Sequence, residues 1–230
     1  MMMNASKNIT NRMEIKLIKL ARNEQYVKGI KIIDDFLKKK SVSDEILVQK
    51  AFFLYHYAAY LMYNKKWSTT KQDLIQQNFE DAIKICEAII KKRLSTNKRN
   101  ILNARIYLAQ IYAMNGRTKK AKNFAASTFK SHPSFFTAER AADVYLRLND
   151  SHRAISWYKK SIELAKQDDA KLMAQIGLAV TFKKTGNLKN ALIEAKRAIL
   201  LLEQSKIDKN TRILKQSLYA NFPTLGRKNI

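Results

Sequence analysis

The chain has 230 residues, only five of them Gly and two Pro, with 46% hydrophobic and 27% charged residues. Seven breakers cannot supply the frequent turns that a fold of many short strands needs, which excludes sandwich, barrel and collagen-like folds; the apolar content excludes a disordered polymer. Lysine and arginine number 44 against 19 acidic residues, a formal net charge of +25 that favours acidic or polyanionic partners.

Residues 1–10 are polar, read as a disordered N-terminus, and show no secretory signal. Leu17 and Leu20 followed by Gly29 and Ile33, twelve positions on, give a degenerate first pair of helices. Ala51 to Tyr63 is apolar and aromatic but too short to cross a bilayer. With Leu54, Tyr57, Ala58 and Leu61 it reads as a helix paired with a second carrying Ala82, Ile83, Cys86 and Ile89. Ala58 and Ala82 are 24 apart, so both helices of this pair are expected to be lengthened, the second starting at a capping box on Thr70 and Asp73. An alternative register with Ala59 at the crossing is open. Cys86, the single cysteine, has no intramolecular disulfide partner and indicates a reducing, cytoplasmic setting.

Three further segments superpose. Ala109 precedes Ala121 by twelve residues, Ala142 precedes Ala154 by twelve, and Ala179 precedes Ala191 by twelve. An aromatic residue follows each first alanine (Tyr112, Tyr145, Phe182), then a turn residue: Gly116, Asn149 or Gly186. Each segment reads as two antiparallel helices, with small side chains where they cross, so that the axes approach to about 8 Å. Glycine or asparagine supplies the left-handed turn between them. Pro133 closes one unit. Beyond residue 204, Ile213, Leu214 and Leu218 form the stripe of a covering helix.

This pattern resembles the tetratricopeptide repeat family. The resemblance implies an all-α fold, a right-handed superhelical α-solenoid of about five helical hairpins over residues 11–204, best defined over 102–204. A capping helix at 205–219 and a flexible basic tail at 220–230 complete the expected organisation. It also implies a scaffold or adaptor that binds a protein or peptide partner in a groove lined by first helices. By the family's geometry Phe52, Tyr55, Tyr63, Asn103, Gln110, Met114, Phe136, Glu139, Asp143, Arg147, Met173, Lys183 and Lys184 would line that groove. The lysine–asparagine pair with which some members clamp a C-terminal carboxylate is not carried: the matching positions hold Ile106 and Gln110, Glu139 and Asp143, and Ile176 and Val180. The aromatic run from Phe52 to Trp67 reads either as a docking patch or as core filling.

No constellation for catalysis, cofactor binding or metal binding is apparent. His56, His132 and His152 lack ligand spacing, and phosphate-loop and nucleophile-elbow motifs are absent. The expectation is a non-enzymatic chain without cofactor or small-molecule substrate. From Ala88 to Ala138 there are 11 basic residues and no acidic one. Lys91, Lys92, Arg93, Lys98, Arg99, Arg117, Lys119, Lys120 and Lys122 could form a band for RNA, DNA or another polyanion. The same residues also read as an ordinary solvated surface. RNA-recognition, KH and zinc-finger signatures are missing.

Overall fold

The computed structural model describes residues 13, 15–39, 43–63, 68–91, 97–204 and 209–225. The expected disordered residues 1–10, the last five of the expected tail, and Trp67, Lys92 and Arg93 lie outside them, as does the side chain of Ile213. All regular structure among the described residues is helical. The chain forms two compact units, Met1–Asn115 and Gly116–Ile230.

The first unit holds α1 (residues 15–22), α2 (Tyr26–Lys39), α3 (Asp44–Tyr63), α4 (Thr69–Lys91) and α5 (Lys98–Met114). Leu17 of α1, Ile33 of α2 and Ile46 and Phe53 of α3 share one core. Gly29 is what lets α2 approach α3, since a methyl group there would run into the Phe53 ring. The long helices α3 and α4, 20 and 23 residues, account for the wide spacing of Ala58 and Ala82. Both alanines are fully buried, as is Cys86, whose thiol burial and the nearby Glu87 push well above its usual range. The start of α4 departs from expectation: its first turn is capped by Ser68, whose hydroxyl accepts from the Lys71 amide at 3.2 Å, rather than by Thr70.

The second unit holds α6 (Thr118–Ser131), α7 (Phe135–Arg147), α8 (Ser151–Leu164), α9 (Asp168–Lys184), α10 (Leu188–Gln204), α11 (Lys209–Asn221) and a short 3-10 turn at Pro223–Leu225. Ala142 and Ala154 meet in the same core as Ala179 and Ala191, none of them more than marginally accessible. After Pro133, Ser134 and Thr137 form a reciprocal cap on α7, in which the Ser134 hydroxyl accepts the Thr137 amide at 3.2 Å and the Thr137 hydroxyl accepts the Ser134 amide at 3.1 Å. Ser161 of α8, which stands where α6 has Thr128 and α10 has Ala198, satisfies its buried hydroxyl by donating to the Phe135 carbonyl at 2.8 Å.

The turns repeat one geometry. Gly116, Asn149 and Gly186 all have a left-handed backbone, with φ of 70°, 58° and 77°. Glu24 joins them at φ 55°; it lies seven residues after Leu17, as 116, 149 and 186 lie seven after 109, 142 and 179. Three of these turns also share their hydrogen bonds. The Gln25, Asp150 and Asn187 amides each donate to the carbonyl five residues back, at 2.9 Å in every case. That is the Schellman closure of a helix C-terminus.

The end of the chain corrects the expected loose tail over residues 220–225. Helix α11 runs to Asn221, and Phe222 is 4% exposed within the core that Leu202 and Leu218 share. An aromatic ring this size recovers more from burial against α9 and α10 than its ordering costs.

Candidate functional site

In the first unit, α3 presents a line of rings toward solvent and toward α5. Phe52, His56 and Tyr60 recur every four residues on one stripe of α3. The Phe52 ring lies 4.2 Å from His56 and 5.9 Å from Tyr107 of α5, and Tyr26 of α2 stacks on His56 at 6.1 Å and meets Tyr60 at 5.9 Å. The rings thus connect three helices. Phe52, His56, Tyr26 and Tyr107 are half-buried, Tyr60 is exposed, and Tyr63 at the end of α3 is 73% exposed. Burial, then Glu24 and Tyr60, push the Tyr26 phenol upward, so its hydroxyl stays neutral.

Not every residue expected on this face is there. Tyr55 is 1% exposed and belongs to the core of the first unit, since the stripe through Phe52 and His56 turns it inward. Gln110 is likewise buried, while Asn103 and Met114 are half-buried. His56 and Tyr60 fall inside the aromatic run from Phe52 to Trp67 that reads as a docking patch or as core filling, and they continue the four-residue stripe that starts at Phe52. Tyr26 and Tyr107 were not among the expected residues.

In the second unit, the groove residues of α7 form an ion cluster. Arg140 reaches Asp143 at 3.0 Å and Glu139 at 3.4 Å, and its guanidinium lies 5.1 Å over the Phe136 ring. Asp143 also accepts the Tyr158 hydroxyl at 2.7 Å, tying α7 to α8. Glu139 is 5% exposed, so it does not face a partner; burial raises its carboxyl, Arg140 opposes that and Asp143 adds to it. Burial, then the charge and hydrogen bond of Asp143, likewise raise the Tyr158 phenol. Arg147 is exposed in the last turn of α7 and Met173 is exposed on α9. Lys183 and Lys184 are exposed but engaged. Lys183 donates to the Asn221 carbonyl at 2.7 Å and sits over Phe222, and Lys184 donates to the Asn149 side chain at 2.7 Å. Both hold neighbouring chain segments.

The basic residues divide between the units. Lys91, Lys98 and Arg99 are exposed at the end of α4 and the start of α5. In the other unit Lys119 and Lys120 are exposed in the first turn of α6, with Arg117 half-buried just before it. Lys122 leaves this set, because it forms a 3.1 Å ion pair with Asp150, which comes from the following hairpin. A stretch without acids along the sequence is therefore not a surface without acids. Burial alone would raise the Asp150 carboxyl, but hydrogen bonds from Lys122 and the Arg153 amide, with the charges of both cations, hold it below the usual range.

Among the described residues no group of three or more His, Cys, Asp or Glu could hold a metal ion, and no helix is long and apolar enough to cross a membrane. Residues 139–168 match the family model described as tetratricopeptide repeat. No curated protein matches the chain significantly. Several solved structures do match. The chain is similar to TTC0263, a thermophilic TPR protein in Thermus thermophilus, at 16% identity over 92% of this chain and 98% of that one, with a TM-score of 0.59. It is similar to Bacillus thuringiensis PlcR, crystallised in complex with the peptide PapR7 and DNA, at 17% identity over 92% and 74%, TM-score 0.61. A MamA RS-1 double mutant matches at 12% identity over 86% and 97%, TM-score 0.50.

Proposed function

We propose that this chain, which carries a tetratricopeptide repeat at residues 139–168 and folds as tetratricopeptide proteins do, is a non-enzymatic scaffold that binds a protein or peptide partner on its first helices. The observation that carries the reading is the ring face of α3 and α5: Phe52, His56, Tyr60 and Tyr107 sit together and remain accessible. Aromatic side chains with a polar edge are the usual anchors of a binding interface. Helices fixed by their own packing present these anchors with little ordering cost on binding. The location we propose is cytoplasmic, consistent with one buried, unpaired thiol.

The test is affinity capture with the full chain and with a Tyr60→Ser, Tyr63→Ser variant. The wild type should retain a discrete polypeptide after nuclease treatment and the variant should lose it. Equal retention by both would remove this face from the account.

A second reading, binding of nucleic acid or another polyanion, is favoured by Lys119 and Lys120. They stand in the first turn of α6, which has no acidic residue, where a helix N-terminus already repels cations. PlcR, of which this chain matches 74%, was crystallised with both a peptide and DNA. If this one holds, affinity for RNA or DNA falls linearly in log–log form with salt, and reversing Lys91, Lys119 and Lys120 weakens every sequence alike. Passage of the protein through heparin at low salt would eliminate it.

A further inference from the structure

The ring face has a chemistry of its own. Between Ala51 and Tyr63, α3 carries no Lys, Arg, Asp or Glu, and the polar atoms offered by the rings are tyrosine hydroxyls and the His56 imidazole. Along α5, Tyr107, Asn103 and Arg99 recur every four residues on one stripe. Arg99 is exposed and lies two helical turns from Tyr107, about 12 Å at 1.5 Å per residue. An extended peptide covers that distance in about four residues. Taken over its whole surface, the first unit exposes ten basic side chains against four acidic ones among its described residues, and of these Lys98 and Arg99 stand at the start of α5.

We propose that this face takes an acidic peptide segment: an aromatic or large apolar side chain lies on the rings of Phe52, His56 and Tyr107, and a carboxylate about four residues away pairs with Arg99. The proposal rests on the peptide-binding reading above and gives it a ligand class. A guanidinium forks onto a carboxylate with two parallel hydrogen bonds, which fixes the direction of the segment. Stacked rings supply the apolar anchor. A second copy of the chain is disfavoured as occupant, because each copy carries a net charge of +25. A single-stranded nucleic acid needs cations interleaved with the rings to follow its phosphates, and α3 supplies none there.

The experiment is display selection of random twelve-residue peptides on the full chain, followed by anisotropy of selected peptides and of a labelled oligothymidine. The variants are Arg99→Glu, His56→Ala and, on the other unit, Lys119→Glu, each checked for an unchanged melting temperature. Selected peptides should carry an aromatic or large apolar residue with Asp or Glu three to five positions away. Arg99→Glu and His56→Ala should each weaken them at least tenfold, and Lys119→Glu less than twofold. Arg99→Glu changes an exposed side chain, so it decides the matter even if His56→Ala destabilises the fold. Selected peptides without acidic residues, or binding indifferent to Arg99→Glu, would overturn the proposal while leaving the peptide-binding reading intact. No enriched peptide, together with oligothymidine binding lost in Arg99→Glu, would sink both.

Discussion

Two glycines do their work inside the helices. Gly29 lies under the Phe53 ring and Gly177 under the Tyr158 ring, where an added methyl group would enter the aromatic atoms. Gly177→Ala should therefore destabilise the second unit by about 1–3 kcal/mol, the range for overpacking a filled core. Gly116→Ala, with open space around it but a φ of 70°, should cost about 1 kcal/mol through backbone strain alone. Thermal melts of the two variants distinguish the mechanisms, because only the first disturbs near-ultraviolet signals from Tyr158. Glu24 is the converse case. It occupies the left-handed turn position that Gly116 and Gly186 fill in other repeats, so Glu24→Gly should stabilise by about 0.5–1 kcal/mol in a chemical denaturation. This position was invisible in the sequence, since glutamate gives no turn signal; only its offset of seven from Leu17 places it in register. Gly177 was equally silent, because nothing local shows that Tyr158, nineteen residues earlier, will fold over it.

At the scale of elements, what the sequence made legible was whatever depends on a helix's own periodicity. The twelve-residue spacing of alanines, the turn residues and the covering helix all follow from local pattern. What it hid depends on neighbours from elsewhere in the chain. Asp150 caps α8 and also neutralises Lys122 of α6, so an apparently uniform basic run has an internal partner. Since the folded-state carboxyl of Asp150 is held low, its contribution to stability is present above the ordinary aspartate value and is lost as pH falls below about 4. Asp150→Asn, which keeps a capping oxygen, should lower the melting temperature at neutral pH. That gap should close on acidification below about pH 4; a gap constant with pH would refute the pairing. The tail is the other lesson. Residues 220–230 contain Pro223 and Gly226 and read as loose, yet Phe222 closes the core over α9 and α10 with Lys183 above its ring. Phe222→Ala should cost about 3–5 kcal/mol, since a repeat stack depends on its terminal cover.

For the molecule as a whole, the first unit carries a ring face and the second an ion cluster. Two of the four expected groove residues of α7 are engaged within the unit: Asp143 accepts from Tyr158 of α8, and Glu139 is buried beside Arg140. Family geometry could place these side chains on a helix face but could not show that Arg140 and Tyr158 would claim them. The face left with anchors available is that of α3 and α5. The most direct measurement is photo-crosslinking from benzoylphenylalanine placed at Tyr60 or Tyr63, compared with the same group at Lys84 on the exposed side of α4. A discrete polypeptide captured from positions 60 and 63, and not from 84, is the predicted result. Identical capture from all three positions, or capture of nucleic acid in place of polypeptide, would contradict the assignment of this face to a protein partner.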